Sequence, residues 1–157
     1  MILIERAKIE DVEVITEINT QAFNDEMRRT LGRDGGPPGY NKISTHINLI
    51  NKFLVYKIIY EGKIIGSFFL VKRGEDHLRL ESFCIFPLYQ NKGFGYMDLQ
   101  LMEKEHQKIK KWSLSSAKDS KRIQHLYEKF GYVKTGENEW EYEYEKLISD
   151  IEQDVGK

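Results

Sequence analysis

Residues 90–96, Gln-Asn-Lys-Gly-Phe-Gly-Tyr, join a strand-like run at 77–86 to a helical pattern that starts at Phe94 and continues to about Ile109. A chain that leaves a strand, places two glycines within three residues and at once begins a helix has few conformations open to it. Gly93 and Gly95 accept backbone angles that other residues resist and, lacking Cβ, let another group approach the main chain. The helix that follows turns its unpaired N–H groups back into the bend, and its aligned peptide dipoles make that end electropositive. The bend is therefore either an ordinary strand-to-helix turn or an anion site, and the anion that fits such a site is a phosphate or pyrophosphate. Two nucleotide loops are excluded by spacing, because no Lys-Ser or Lys-Thr pair closes a P-loop and Gly-x-Gly-x-x-Gly is absent.

The chain around this bend has 157 residues, enough for one domain with a core that needs no disulfide or metal staple. With 40% hydrophobic and 31% charged residues it belongs to the globular class. A net charge of −1 gives no reason to expect nucleic acid as a partner. Cys84 is the only cysteine, which excludes an internal disulfide and points to a reducing, cytoplasmic setting. Charge at Glu5 and Arg6 comes too early for a signal peptide, and no apolar run is long enough to span a bilayer, so no membrane partner is expected.

In chain order, residues 2–7 read as a strand, and 11–28 place Val14, Ile15, Ile18, Ala22 and Phe23 at helical spacing. Residues 31–40, with four glycines and Pro37-Pro38, break the helix; they are a plain connector or a loop that carries binding groups. A shorter helix at 41–51 sets Ile43, Ile47 and Ile50 on one side. Runs at 53–60, 63–72 and 77–86, rich in β-branched and aromatic residues and joined by Glu61-Gly62 and Gly74-Glu75-Asp76, form an antiparallel meander. Strict alternation in the third places Arg79, Glu81, Phe83 and Ile85 on one face and Leu78, Leu80, Ser82 and Cys84 on the other. Past the bend, Met97, Leu99, Leu101, Met102 and Ile109 make an apolar helix face. A strand at 112–117 leads to a helix capped by Asp119 or Ser120, with Ile123, Leu126, Tyr127 and Phe130 at spacings of three and four and Gly131 at its end. Strands at 132–135 and 139–147 close the sheet; Trp140, Tyr142 and Tyr144 on one face of the last could pack a core or a homodimer. The fold class is α/β (α+β): a mixed, mostly antiparallel central sheet flanked by helices, in the order β-α-α-β-β-β-α-β-α-β-β. One domain covers 1–148, and a polar tail at 149–157 is expected to fray.

Residues 83–95, Phe-Cys-Ile-Phe-Pro-Leu-Tyr-Gln-Asn-Lys-Gly-Phe-Gly, resemble the acetyl-coenzyme A signature of the GNAT superfamily of N-acetyltransferases. That signature is a hydrophobic strand, a proline, then Gln/Arg-x-x-Gly-x-Gly/Ala at a helix start. Leu126-Tyr127-Glu128-Lys129-Phe130-Gly131-Tyr132 is similar to the family's Leu-Tyr-Glu-Lys-x-Gly-Phe segment, with Tyr132 in place of Phe. The order of elements is that of the GNAT fold, and the resemblance covers nearly all of the chain. Ser120 stands where family members often have a cofactor-contacting Asn, and Ile123 where they often have Ala, which narrows the groove.

The resemblance implies an N-acetyltransferase that transfers the acetyl group of acetyl-CoA to a primary amine of a small molecule or peptide by direct attack in a ternary complex, without a metal. It assigns the main chain of Phe83, Cys84 and Ile85 to the pantetheine arm, with an N–H near Ile85 polarising the acetyl carbonyl. Gln90, Asn91, Lys92, Gly93, Phe94, Gly95 and Tyr96 then surround the phosphates, Ser120 touches the cofactor, and Lys121 or Arg122 could add charge to the phosphate site. Tyr127 resembles the general acid for the leaving sulfur, although its spacing equally fits a core tyrosine beside Ile123 and Phe130. Glu81 is the candidate base, directly or through water, or else an ordinary partner of Arg79. In the family the connection between the first two helices lies beside the acceptor, which makes residues 32–40 a candidate lid in which Asp34 pairs with an ammonium group and Tyr40 offers its ring. Cys84 has no basic cluster to activate it, and His46, His77, His106 and His125 lack metal-ligand spacing. A non-catalytic acyl-CoA sensor is the alternative reading.

Overall fold

The computed structural model describes residues 1–149. The remainder of the polar tail, for which fraying is expected, lies outside the described residues. The elements are β1 (Ile2–Arg6), α1 (Val12–Leu31), α2 (Ile43–Lys52), β2 (Leu54–Tyr60), β3 (Lys63–Gly74), β4 (His77–Ile85), α3 (Phe94–Glu105), β5 (Lys111–Ala117), α4 (Lys121–Phe130), β6 (Val133–Glu137) and β7 (Glu141–Leu147). Their order is the one expected from the sequence. They build a seven-stranded sheet in the order β1-β2-β3-β4-β5-β7-β6, antiparallel throughout except for β4 beside β5.

Helices cover both faces. On one, α1 buries Ile15, Ile18 and Ala22 against Ala7, Val55 and Cys84. On the other, α3 and α4 close over the largest cluster, in which Ile58, Phe68, Leu70, Leu99, Met102, Trp112, Leu114 and Tyr144 are almost completely buried. Each such side chain contributes about 1.5–3 kcal/mol of transfer free energy.

Three positions expected on apolar helix faces are solvent-exposed: Val14, Ile43 and Met97. The stripe of α1 runs through Ile15, Thr16, Ile18, Asn19 and Ala22, so Val14 falls off its edge, and in α2 the buried residue is His46. Helix α3 ends at Glu105 rather than near Ile109, and its buried positions are Phe94, Asp98, Leu99 and Met102. Ser120 stands at the N-cap of α4 without a side-chain capping bond. Trp140 precedes β7 and is exposed, whereas Tyr144 on that strand is fully buried.

The alternation expected for β4 also fails, because the strand is bulged. Its register with β3 slips between Ser67 and Phe69, and Ser82 at the slip has a φ of 49°. An inserted residue reverses the phase of all that follow it. Glu81 lies opposite Phe69 and Cys84 opposite Ser67, and Phe69 and Cys84 both pack into the clusters beneath α1. Glu81 therefore shares a face with Cys84, while Leu78, Leu80 and Ile85 belong together on the α3–α4 face.

Asp98 of α3 is completely buried, and among the described residues neither carboxylate oxygen has a hydrogen-bond partner. Burial pushes its carboxyl well above the ordinary range. Below that range folded and unfolded chains both hold the proton; as pH rises through it the unfolded chain releases the proton first, so stability falls. Asp98→Asn removes this slope. The variant is expected to be more stable than the parent at pH 8, with little gain at pH 4, as read from denaturant unfolding at both pH values.

Candidate functional site

Strands β4 and β5 are neighbours over only three residue pairs, the last being Arg79 with Ser113. Beyond it β4 continues to Ile85 and β5 to Ala117 without pairing with each other, and the bulge at Ser82 distorts β4 there. The fork opens a cavity of about 890 Å³. Its floor is residues 79–85 of β4. One wall is α1 from Ala22 to Leu31 with Gly35, Gly36, Pro37 and Pro38; the other is Ser115, Ser116 and Ala117 of β5 with the first turns of α4; and the far end is Gln90, Asn91 and residues 93–96.

The parted edge of β4 leaves main chain facing the cavity. Phe86 donates its N–H to Ile65 of β3 at 2.7 Å, so alternation turns the peptide groups of Ile85 the other way, into the fork. The Ile85 carbonyl accepts Gln90 Nε2 at 2.8 Å, a contact that ties the bend back onto the strand. Phe83 is half-buried and packs on the core cluster. Cys84 is buried with its sulfur 3.9 Å from Ser67 Oγ, and burial pushes the thiol up to about 12, which excludes it as a nucleophile at neutral pH.

At the bend, Pro87–Tyr89 forms a short 3-10 turn and Gly93 takes a φ of 83° as the N-cap of α3. The first helical hydrogen bond runs from Met97 N–H to the Gly93 carbonyl, so the amides of Phe94, Gly95 and Tyr96 belong to the unpaired first turn. A Cβ on Gly93 would meet open space, and only its left-handed backbone demands glycine. A Cβ on Gly95 would lie 3.0 Å from Leu126 Cδ2. The second glycine thus lets α3 and α4 approach each other. Lys92 is exposed and does not line the cavity.

Tyr127 and Glu81 both line the cavity. Tyr127 is 5% exposed, and burial, with the charges of Asp98 and Glu81 adding to it, raises its phenol far above the usual value, so it keeps its proton. Glu81 accepts Arg79 Nε at 2.8 Å. The same guanidinium grips Glu143 of β7 at 2.6 and 3.1 Å and also donates to Ser115. Arg79 therefore joins β4, β5 and β7 at the point where the fork begins. Ser120 is buried and lines the cavity beside Ile123.

Asp34 and Tyr40 lie outside the cavity lining. Asp34 is ion-paired with Arg28 of α1, both exposed. The Tyr40 hydroxyl donates to Asn24 Oδ1 at 2.5 Å, which also accepts Gly35 N–H at 3.1 Å, and its ring meets Phe23 edge-on at 6.2 Å. A Cβ on Gly36 would come within 2.9 Å of Phe23 and Tyr40, so glycine there serves close packing. The loop is fastened to α1, and only Gly35, Gly36, Pro37 and Pro38 reach the cavity.

Sequence reasoning missed Glu26 and Met27, which a helical stripe drawn on from Phe23 would have found. It also missed the pairing of Glu26 Oε2 with Arg122 Nη2 at 2.9 Å, which links α1 to α4 across the cavity. Among the described residues no group of three or more His, Cys, Asp or Glu could hold a metal ion, and no helix is long and apolar enough to cross a membrane.

The sequence matches the Acetyltransferase (GNAT) family over residues 12–132. A comparison with curated proteins finds no match. Among solved structures the chain is similar to the PaiA N-acetyltransferase of Thermoplasma acidophilum in complex with coenzyme A, at TM-score 0.80 and 19% identity over 94% of this chain and 99% of that one. It is also similar to a GNAT-family acetyltransferase of Bacillus anthracis, at 0.70 and 21% over 93% and 94%. The ribosomal-protein-S18-alanine N-acetyltransferase of Escherichia coli aligns at 0.74 and 17% over 95% of each chain. These likenesses establish the shared fold.

The two contacts made by Asn24 predict how the loop is held. Asn24→Ala is expected to speed amide exchange at Gly35 and its neighbours about tenfold, the equivalent of one or two lost hydrogen bonds. Asp34→Ala removes only an exposed ion pair and should leave the exchange rates unchanged; hydrogen exchange read by mass spectrometry compares the two.

Proposed function

Since the chain belongs to the acetyltransferase (GNAT) family, we propose that it is an N-acetyltransferase acting on a primary amine of a small molecule or peptide, with acetyl-CoA as the donor. The observation that carries this reading is the fork itself: an unpaired strand edge leading to a first helical turn of free amides, with Tyr127 in the same cavity. The residues present suit coenzyme A. Peptide groups of β4 at Ile85 face the fork for an amide-bearing arm, and the amides of Phe94, Gly95 and Tyr96 meet a pyrophosphate at the positive end of α3. The neighbours support the donor and the bond formed, since one is an N-acetyltransferase holding coenzyme A and another acetylates an alanine nitrogen.

The chemistry follows from the groups in place. The amine nitrogen attacks the thioester carbonyl carbon, forming the C–N bond while the C–S bond breaks. Negative charge developing on the carbonyl oxygen is met by the Ile85 N–H. The proton lost by the amine passes to Glu81, directly or through water, and the departing sulfur takes a proton from the Tyr127 hydroxyl. The Tyr127 phenol carries its proton at neutral pH, and Arg79 holds the Glu81 carboxylate that lines the same cavity. The acceptor enters between α1 and Glu81, beside Phe23, Met27, Pro37 and Pro38.

Purified protein with acetyl-CoA should release thiol only when an amine is added, tested over amino acids, polyamines, aminoglycosides and peptide N-termini. Thiol release independent of any amine, or none with all of them, rejects the reading. Tyr127→Phe is expected to lower kcat by about 10²–10⁴-fold, with coenzyme A affinity by calorimetry nearly intact. Glu81→Gln should depress the rate most at low pH, where the amine arrives protonated. An equal loss at every pH would make Glu81 a substrate-orienting group instead.

A further inference from the structure

The ion pair between Glu26 and Arg122 joins residues 96 apart in sequence, from two helices that form opposite walls of the cavity. It is the groove's own crossing contact, made at 2.9 Å with Arg122 37% and Glu26 21% exposed. Arg122 stands one helical turn before Leu126, about 6 Å along the axis of α4, and Leu126 lies directly over Gly95 in the bend that carries the free amides. An arginine side chain spans that distance, and its planar fork matches phosphate oxygens as well as it matches a carboxylate. Lys129, the next cation on this face of α4, is turned over the Tyr96 ring at 5.4 Å.

We propose that Arg122 is a phosphate-binding residue held in reserve by Glu26, and that the phosphates of coenzyme A take the guanidinium from the carboxylate on binding. The proposal rests on the groove being a coenzyme A site. Glu26 and the ligand are then competitors for one cation, and binding of coenzyme A opens the contact between α1 and α4 that closes over the groove. The exchange also frees the Glu26 carboxylate beside Phe23 and Met27, on the wall along which an ammonium group would approach.

Competition for a shared group has a signature that general repulsion lacks, and calorimetric titration of coenzyme A at low ionic strength reads it. Glu26→Gln should tighten coenzyme A about two- to fivefold, the range set by opening a half-exposed ion pair. Arg122→Gln should weaken it about tenfold, as expected for one charge-assisted phosphate contact, and Arg122→Lys should recover part of the loss. In the Arg122→Gln background, Glu26→Gln should have no effect. Unchanged or weaker binding by Glu26→Gln overturns the proposal. Equal tightening with and without Arg122 overturns it too, because the carboxylate would then act only as a nearby negative charge. Failure of the parent protein to bind coenzyme A rejects the coenzyme A reading itself, a result distinct from either of these.

Discussion

The early end of the β4–β5 ladder is the constraint on which the rest of this structure depends. Two parallel strands that pair for three residues and then separate leave main-chain donors and acceptors unmatched, a costly arrangement in a protein interior. Arg79 stands at the last pair and offsets part of that cost. Its two bonds to Glu143 hold β4 to β7 across β5, and its bond to Glu81 keeps a carboxylate at the fork. The bulge at Ser82 supplies the complementary distortion, turning β4 outward and reversing which side chains look into the core.

Buried polar groups adjoin the fork on both faces of β4. Tyr127 sits at the foot of the cavity in a largely apolar shell, with Tyr132 and Tyr144 as ring neighbours at 5.8 and 6.2 Å. That shell, with Asp98 and Glu81 nearby, disfavours its phenolate. Cys84 experiences a similar shell and is silenced by it, its thiol turned toward Ser67 under α1. Burial thus acts in the same direction on both groups, disfavouring the phenolate of Tyr127 and the thiolate of Cys84.

The loop after α1 is held by contacts that its composition does not reveal. Four glycines and two prolines within nine residues suggest a hinge, yet Gly36 is present because Phe23 and Tyr40 leave no room for a Cβ, and Asn24 binds two of the loop's donors. The result is a wall whose Gly35, Gly36, Pro37 and Pro38 line the cavity while Asp34 pairs with Arg28.

Much of this protein is legible in its sequence. Periodicity of two and 3.6 places eleven helices and strands in their observed order, because each element's burial pattern is a local property of the chain. The glycine bend is equally local, so the open first turn of α3 can be read from residues 90–96 alone, and the resemblance carried by residues 83–95 and 126–132 points to the family that the match over residues 12–132 establishes. Other features were decided only by tertiary structure. A single inserted residue at Ser82 carries no compositional mark, yet it moves Glu81 from the face of Ile85 to that of Cys84. Whether Asp34 and Tyr40 look into the groove or back onto α1 depends on Arg28 and Asn24, partners that spacing does not single out. The clasp between Glu26 and Arg122 exists only because the fork brings α1 and α4 to opposite sides of one cavity, and contacts between residues 96 apart are set by how the sheet folds, not by any periodicity along the chain.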